Sequence, residues 1–393
     1  MTTPLPTGVF HYLALDRVHF GTPAAEALQT EVQLRGARRI AVVTSKSLNR
    51  KTDAVTAALS RIQPQVAGLF DDCVEHTPRE TVIAVADLLR SVQADLVVSI
   101  GGGTVIDTVK VALVALAEGL TRTEQLDDWH MRMAPDGSRI TPQPRTPPCR
   151  QIAVPTTLSG AEFSDLGGST DARHGTKQGY TGAFIGPAAV ILDPRITVHT
   201  PDRLWLSTGV RAVDHAVEAL CSINAQPLID ATSVRALALL GRSLKRYATD
   251  PGDLAARLEG QQGAWLAATS IRRTEYGASH GLGHALGADA GVPHGITSCV
   301  LLPTVMRFNA DVCARQMAEI AAALGDPRRP AADQVEELIA NLGLPTRLSQ
   351  LGIGRERLAV IAQKGMANPW VHTNPRKING PAELEALLNQ AWA

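Results

Sequence analysis

Several things are missing from these 393 residues, and each absence removes a class of protein. There is no excess charge: 38 Lys plus Arg balance 38 Asp plus Glu, so the net charge is zero. A neutral chain offers no bulk basic field to nucleic acid or to an anionic membrane surface, and neither is expected as a partner. There is no CxxC spacing. Cys73, Cys149, Cys221, Cys299 and Cys313 are scattered and odd in number, which reads as reduced thiols in a cytoplasmic protein. No apolar run reaches the ~18 residues of a membrane span. The first residues, MTTPLPTGVFHYL, lack a basic stretch followed by a long apolar one, so no secretory signal is expected.

What is present is ordinary core material, 45% apolar and 19% charged, in a length that suits two or three domains. Arg17–Gly21 alternates like a strand and a helix follows to Arg35. Residues 39–44, 65–70, 95–100, 151–154 and 188–193 read as short β-branched strands, with helices expected over 50–61 and 81–91. Alternating strands and helices imply parallel crossovers and a doubly wound, mainly parallel α/β domain. Residues 120–150 are polar, proline-rich and without periodicity, and read as a long excursion. Asp171–Thr181 reads as a turn carrying Lys177. From about residue 200 only helical patterns occur, so the chain divides into 1–200, α/β and dinucleotide-binding, and 201–393, all-helical.

Two stretches carry chemistry. In GGGTVIDTVK, Gly101, Gly102 and Gly103 follow a strand and open a helix. Glycines there let backbone approach a ligand, and the helix start offers free N–H groups to a pyrophosphate. The pattern is not GxGxxG, and a plain strand–helix turn is the competing explanation. Thr104, Asp107 and Lys110 lie on the first turns, able to orient loop or ligand; Thr156 and Thr157 place hydroxyls at the next strand end. The second stretch, Gly277–Asn309, spaces His280, His284 and His294 among small residues, with His215 on another helix. Residues 280 and 284 share a helix face. Convergent imidazoles suit a metal site, a proton-transfer site or both.

Together these features resemble the iron-containing alcohol dehydrogenase family, which includes the maleylacetate reductases. GGGTVIDTVK resembles that family's GGGSxxDxxK loop, PTTLSGAEFS (155–164) its PTT segment, and Gly277–Gly295 its HGxxH followed by PHG. Asn374-Pro375-Arg376 also looks familial, and the form of the histidine stretch and the short PTTLSGAE lean toward maleylacetate reductases. The resemblance implies NADH or NADPH across the α/β half, bound by Ser45, Gly101, Gly102, Gly103, Thr104, Asp107, Thr156, Thr157 and Lys177. Ser45 falls where NAD-preferring members carry Asp, so NADPH is expected to be tolerated. A homodimer is implied too.

One residue departs from the family pattern. Its metal site takes one Asp and three His, the first pair as Asp-x-x-x-His on one helix. Here Arg211 stands four residues before His215. Arginine cannot ligate a metal. His215, His280 and His294 can still hold iron or zinc with an open position, so a metal stays open. The sharper expectation is that Arg211 replaces it, polarising a carbonyl or gripping a carboxylate, with His280 and His284 as catalytic partners. The implied activity is maleylacetate reduction to 3-oxoadipate, a step of aromatic degradation, on a small carboxylated substrate. The alternatives are a metal-dependent alcohol dehydrogenase on a small alcohol or aldehyde, a lyase like dehydroquinate synthase, and a non-catalytic NAD-binding protein.

Overall fold

The computed structural model describes residues 7–134 and 138–393. The first half comprises β1 (Arg17–Phe20), α1 (Ala24–Arg35), β2 (Ile40–Val43), α2 (Lys46–Lys51), α3 (Ala54–Leu59), β3 (Val66–Phe70), α4 (Arg79–Ser91), β4 (Leu96–Gly101) and α5 (Gly103–Glu118). It continues through β5 (Arg132–Met133), β6 (Arg139–Ile140), β7 (Arg150–Pro155), β8 (Leu166–Asp171), β9 (Thr176–Thr181) and β10 (Ala189–Leu192). Six strands form a parallel sheet in the order β1-β10-β7-β4-β2-β3. Every residue of central β4, LVVSIG, is buried, as a parallel strand covered on both faces requires. Leu28, Val55 and Leu59 cover one face; Val82, Val85, Val109 and Leu113 cover the other.

Strand order reverses between β2 and β4, since β3 continues beyond β2 while β7 lies beyond β4. Such a switch point opens a crevice at the carboxyl ends of the strands, where ligands bind in doubly wound sheets. Ser45 and Gly101–Gly103 both lie at that edge. Thr44 Oγ1 ties the two strand ends together by donating to the Ile100 carbonyl at 2.7 Å.

Three local expectations need correction. The helix expected over 50–61 is two helices, because Thr52 is extended (φ −141°, ψ 166°). Its hydroxyl bonds back to the Leu48 carbonyl and ends the first helix. Asp171–Thr181 is not a simple turn but the outgoing half of an antiparallel hairpin, with Asp171 opposite Thr176 and Thr170 opposite Lys177. Its glycines hide the strand signal, yet packing demands one of them: a Cβ on Gly167 would press Lys110 and Val111 at 3.0 Å. The 120–150 excursion contains a 3-10 turn over Thr123–Asp128 and the β5–β6 pair, pieces too short to show periodicity.

From Pro194 onward, regular structure among the described residues is helical, as expected. It comprises α6 (Pro194–Thr197), α7 (Asp202–Leu220), α8 (Pro227–Thr249), α9 (Leu254–Ala268), α10 (Ala278–Ala290), α11 (His294–Asn309), α12 (Ala314–Leu324), α13 (Ala331–Asn341), α14 (Leu358–Gly365), α15 (Pro369–His372) and α16 (Pro381–Trp392). None of the described helices is long and apolar enough to cross a membrane. The core of this half forms around α7, whose Val210, Val213 and Val217 pack with Leu240, Leu302 and Met306.

Candidate active site

Helix α7 is buried over almost its whole length from Trp205 to Leu220. Such a helix should be apolar all round. Yet four of its buried residues are ionisable: Arg211, Asp214, His215 and Glu218. Burying them costs free energy unless each finds a partner, and α10 and α11 supply most of the partners.

Glu218 meets the N-terminus of α10. Its oxygens accept the backbone N–H groups of Gly277 (2.9 Å), Ser279 (2.8 Å) and His280 (3.2 Å) and the Nδ1–H of His280 (2.8 Å). Four donors and a helix N-terminus all favour the carboxylate form, although burial pushes its pKa up. Asp214 Oδ2 accepts the hydroxyls of Ser279 (2.9 Å) and Ser298 (2.6 Å). Arg211 Nη1 donates to Ser298 Oγ at 3.1 Å and reaches Asp214 Oδ2 at 3.5 Å. Among the described residues its Nε and Nη2 make no hydrogen bond.

The imidazoles gather beside this cation. The rings of His215 and His280 stack at 5.0 Å, and those of His284 and His294 lie 5.2 Å apart. Tyr276 stacks on His280 at 4.0 Å, and Trp370 lies against both His280 and His284. Burial first and the Arg211 charge second hold His215 and His280 well below the usual imidazole range. The same two causes, followed by Lys177, lower His284 to about 3. Burial, then Lys177 and Arg211, lowers His294 as well. The four rings are therefore neutral around a fixed positive charge.

The metal set expected from the resemblance does not assemble. Among the described residues, the donor atoms that come within 4.8 Å of one another belong to Asp214, Glu218 and His280, not to His215, His280 and His294. Lys177 Nζ stands 3.2 Å from His294 Nε2 and occupies that donor. The alternative trio is little better, because His280 Nδ1 is a donor to Glu218 and the Glu218 oxygens are already engaged by four N–H groups. Three ring nitrogens of the predicted ligands, His215 Nδ1, His280 Nε2 and His294 Nδ1, are buried without a hydrogen-bond partner, as is Asp214 Oδ1. The Arg211 charge acts on all of these groups and repels a cation, so these residues do not fit a divalent metal.

The cofactor side does fit. A Cβ on Gly102 would meet Thr157 Cγ2 at 2.9 Å, and one on Gly103 would meet Ser159 Oγ at 3.0 Å. Bare backbone therefore faces the crevice, with the first-turn N–H groups of Gly103 and Thr104 unpaired among the described residues. Thr156 and Thr157 are buried at the end of β7. Ser45 caps α2 through Leu48 N (3.4 Å). Asp107, expected to orient loop or ligand, is held by protein: Oδ2 accepts Gly168 N at 3.1 Å and Oδ1 meets Lys110 at 3.2 Å. Lys110 is fully buried, pinned to Ser164 Oγ and the Leu166 carbonyl, so it braces the loop. Lys177 is walled in by the crevice yet open to its solvent. Enclosure lowers its ammonium pKa and Asp107 opposes the shift.

Sequence reasoning misses Ser279, Ser298, Tyr276 and Trp370 as site residues; Asp214, next to His215 and about 100° round the helix from it, also enters the cluster. Serines and aromatics carry no spacing signal. The Asp214–Glu218 pair at i,i+4 was the one available clue to that face.

Residues 16–194 match iron-containing alcohol dehydrogenase, and residues 205–392 match the C-terminal part of the Fe-containing alcohol dehydrogenase family. Dehydrogenase ALT3 of Alternaria alternata is 33% identical over 392 residues, covering 90% of this chain and 99% of that protein. A maleylacetate reductase of Rhizobium sp. is 31% identical over 377 residues, covering 96% and 95%. The crystal structure of maleylacetate reductase from Agrobacterium tumefaciens superposes with a TM-score of 0.81 at 28% identity, covering 98% of this chain and 99% of that one. The chain belongs to the iron-containing alcohol dehydrogenase family and is an oxidoreductase.

Proposed function

We propose that the protein is an NAD(P)H-dependent reductase of a small, carboxylated oxo compound, in which Arg211 takes the place of the family's metal. The observation that carries this reading is a buried guanidinium with two uncommitted nitrogens beside four neutral imidazoles. In this reading residues 1–200 hold the cofactor and 201–393 supply the chemistry. The N–H groups of Gly103 and Thr104 would hold the pyrophosphate, and Thr156 and Thr157 would flank the ribose. When bound, the nicotinamide supplies the hydride. Arg211 holds the negative charge that develops on the carbonyl oxygen, a contribution of about 3–4 kcal/mol for a well-placed donor. With maleylacetate the hydride adds to the C=C bond conjugated with that carbonyl, leaving an enolate on Arg211. A proton relayed from solvent through neutral His284 ends on the adjacent carbon, so the oxo group is kept in 3-oxoadipate. Glu218 keeps the Nδ1–H tautomer of His280 and so its ring orientation.

Maleylacetate is the first candidate substrate. A cation in the reaction centre suits an oxo acid, and a maleylacetate reductase is among the relatives. Ser45 places no carboxylate against a 2′-phosphate, which supports use of NADPH as well as NADH. A homodimer belongs to the same reading, supported by the unpaired edge of β1 and its exposed Phe20. One observation favours a metal-dependent alcohol dehydrogenase instead, the close approach of Asp214, Glu218 and His280.

The deciding assay is NADH and NADPH oxidation against a panel of oxo acids and aldehydes, before and after chelation, with metal analysis of the purified protein. Activity on an oxo acid that survives chelation supports the Arg211 reading. Collapse on chelation and rescue by iron or zinc would favour the alternative.

A further inference from the structure

The excursion over residues 120–150 and the hairpin it covers take no part in the reading above, except that the hairpin carries Lys177. We propose that Arg79 and residues 123–131 form a clamp that positions Lys177 against His294. Arg79 is thus a positioning residue, acting through the hairpin and touching neither substrate nor cofactor.

The hairpin needs such a clamp. It is a two-stranded antiparallel pair, separate from the main sheet, and Gly167, Gly168 and Gly179 weaken it. A Cβ on Gly168 would sit 2.9 Å from Lys177 Cε, so the lysine crosses its own partner strand over this glycine on the way to His294, and a larger residue would push it aside. A long flexible side chain aimed across glycine keeps its direction only if the strand beneath it is fixed.

Arg79 fixes it. Its side chain is 1% exposed, and its planar fork serves several acceptors at once. Nη1 donates to the Thr123 carbonyl (3.1 Å) and to Asp127 Oδ1 (2.6 Å), both in the excursion. Nη2 donates to Gln178 Oε1 (2.6 Å), the residue after Lys177. Asp171, at the end of β8, lies 3.7 Å away. Arg173 closes the ring by donating to Asp171 (2.9 Å) and Asp127 (2.7 Å). The Met131 N–H adds a bond to the Gly179 carbonyl at 2.8 Å.

Backbone strain points the same way. Just before α4, His76 (φ 66°) and Thr77 (φ 52°) are both left-handed, a conformation that a β-branched residue rarely adopts. The hairpin holds them there. Thr170 N and Ser169 Oγ donate to the Thr77 carbonyl at 2.9 and 2.8 Å, and Thr170 Oγ1 donates to the His76 carbonyl at 2.7 Å. Strain of this kind persists only where surrounding contacts over-determine the geometry. Thr170 is also the residue paired with Lys177 across the hairpin.

The proposal rests on the reading that Lys177 lies at the cofactor. The test is a fluorescence titration of the full-length protein with NADPH, with thermal melting of each variant alongside. Lys177→Met is expected to weaken NADPH binding about tenfold. Asp127→Asn, at a half-exposed position that tolerates the change, should weaken it about threefold or more, and Arg79→Lys likewise. In the Lys177→Met background Asp127→Asn should add less than about twofold, because the clamp then has nothing left to aim. An equal loss in both backgrounds would overturn the proposal, since it would mark a general structural role. A Lys177→Met effect without an Asp127→Asn effect would overturn the clamp alone. Unchanged binding in Lys177→Met would overturn both the clamp and the assignment of Lys177 to the cofactor.

Discussion

Oε2 of Glu218 accepts two hydrogen bonds from one residue, the Nδ1–H of His280 at 2.8 Å and the His280 backbone N–H at 3.2 Å. A single carboxylate on α7 thus caps α10 and sets the tautomer of its first histidine. Replacing Glu218 with Ala leaves buried N–H groups unpaired and should cost about 3 kcal/mol of stability. Glu218→Gln keeps one acceptor and should cost less, while turnover still falls. Urea denaturation read beside kcat separates the two effects.

Arg211 and His215 lie one turn apart on α7, as Asp and His do in the family pattern. Arg211→Asp would replace the repelling cation with the missing ligand. Calorimetric titration with zinc should show binding to Arg211→Asp and none to the unaltered protein. In the unaltered mechanism Arg211→Ala should lower kcat by about 10²–10³, the usual loss for one charge-stabilising donor. Zinc binding by the unaltered protein would count against both expectations.

His284 sits between His294 and Trp370 and contacts Asn368 at 3.4 Å. His284→Ala should depress kcat by about 10²–10⁴, the range of a lost proton-transfer group, with little change in NADPH binding. An unchanged rate would remove it from the mechanism.

Ser45 caps α2 beside the crevice edge, and its neighbour Lys46 pairs with Asp72 at 2.5 Å. Ser45→Asp keeps the cap and adds a carboxylate. It should cut kcat/KM for NADPH about tenfold and leave NADH nearly unaffected, because only NADPH carries a 2′-phosphate to repel. Steady-state kinetics with both cofactors check this.

Glu31 on α1 is fully buried and bound by Arg17 (2.7 Å), His19 (2.8 Å) and Arg35 (3.2 Å). Burial alone would raise its pKa, but the bonds from Arg17 and His19 and the charge of Arg35 overcome it, lowering the value from 4.5 to about 2. The folded carboxyl is the stronger acid, so its stabilisation is complete above about pH 4.5 and is lost as pH falls through about 2. Urea midpoints between pH 6 and pH 3 should fall in the natural protein, and by less in Glu31→Gln.

The parallel strands could be read directly from the chain because a strand covered on both faces must be a short, continuous apolar run, and IAVV, LVVSIG and AVIL are such runs. The hairpin could not, since glycine carries no strand signal and Gly167 and Gly168 are there for what packs against them. Thr52 ended a helix that periodicity alone would have continued.

The candidate site divides in the same way. Residue type and spacing alone determined that the glycine loop precedes a helix, that His280 and His284 share a face, and that Arg211 and His215 lie one turn apart on a helix. All three are local facts, set within a few residues. Only the tertiary structure decided that Lys177 from the hairpin takes His294 Nε2, that Glu218 consumes the Nδ1 proton of His280, and that Asp214 turns into the cluster to meet Ser279 and Ser298. Those pairings span 62 to 117 residues of chain. Hydrogen bonds over such separations are chosen by how helices and strands pack, which no local pattern records.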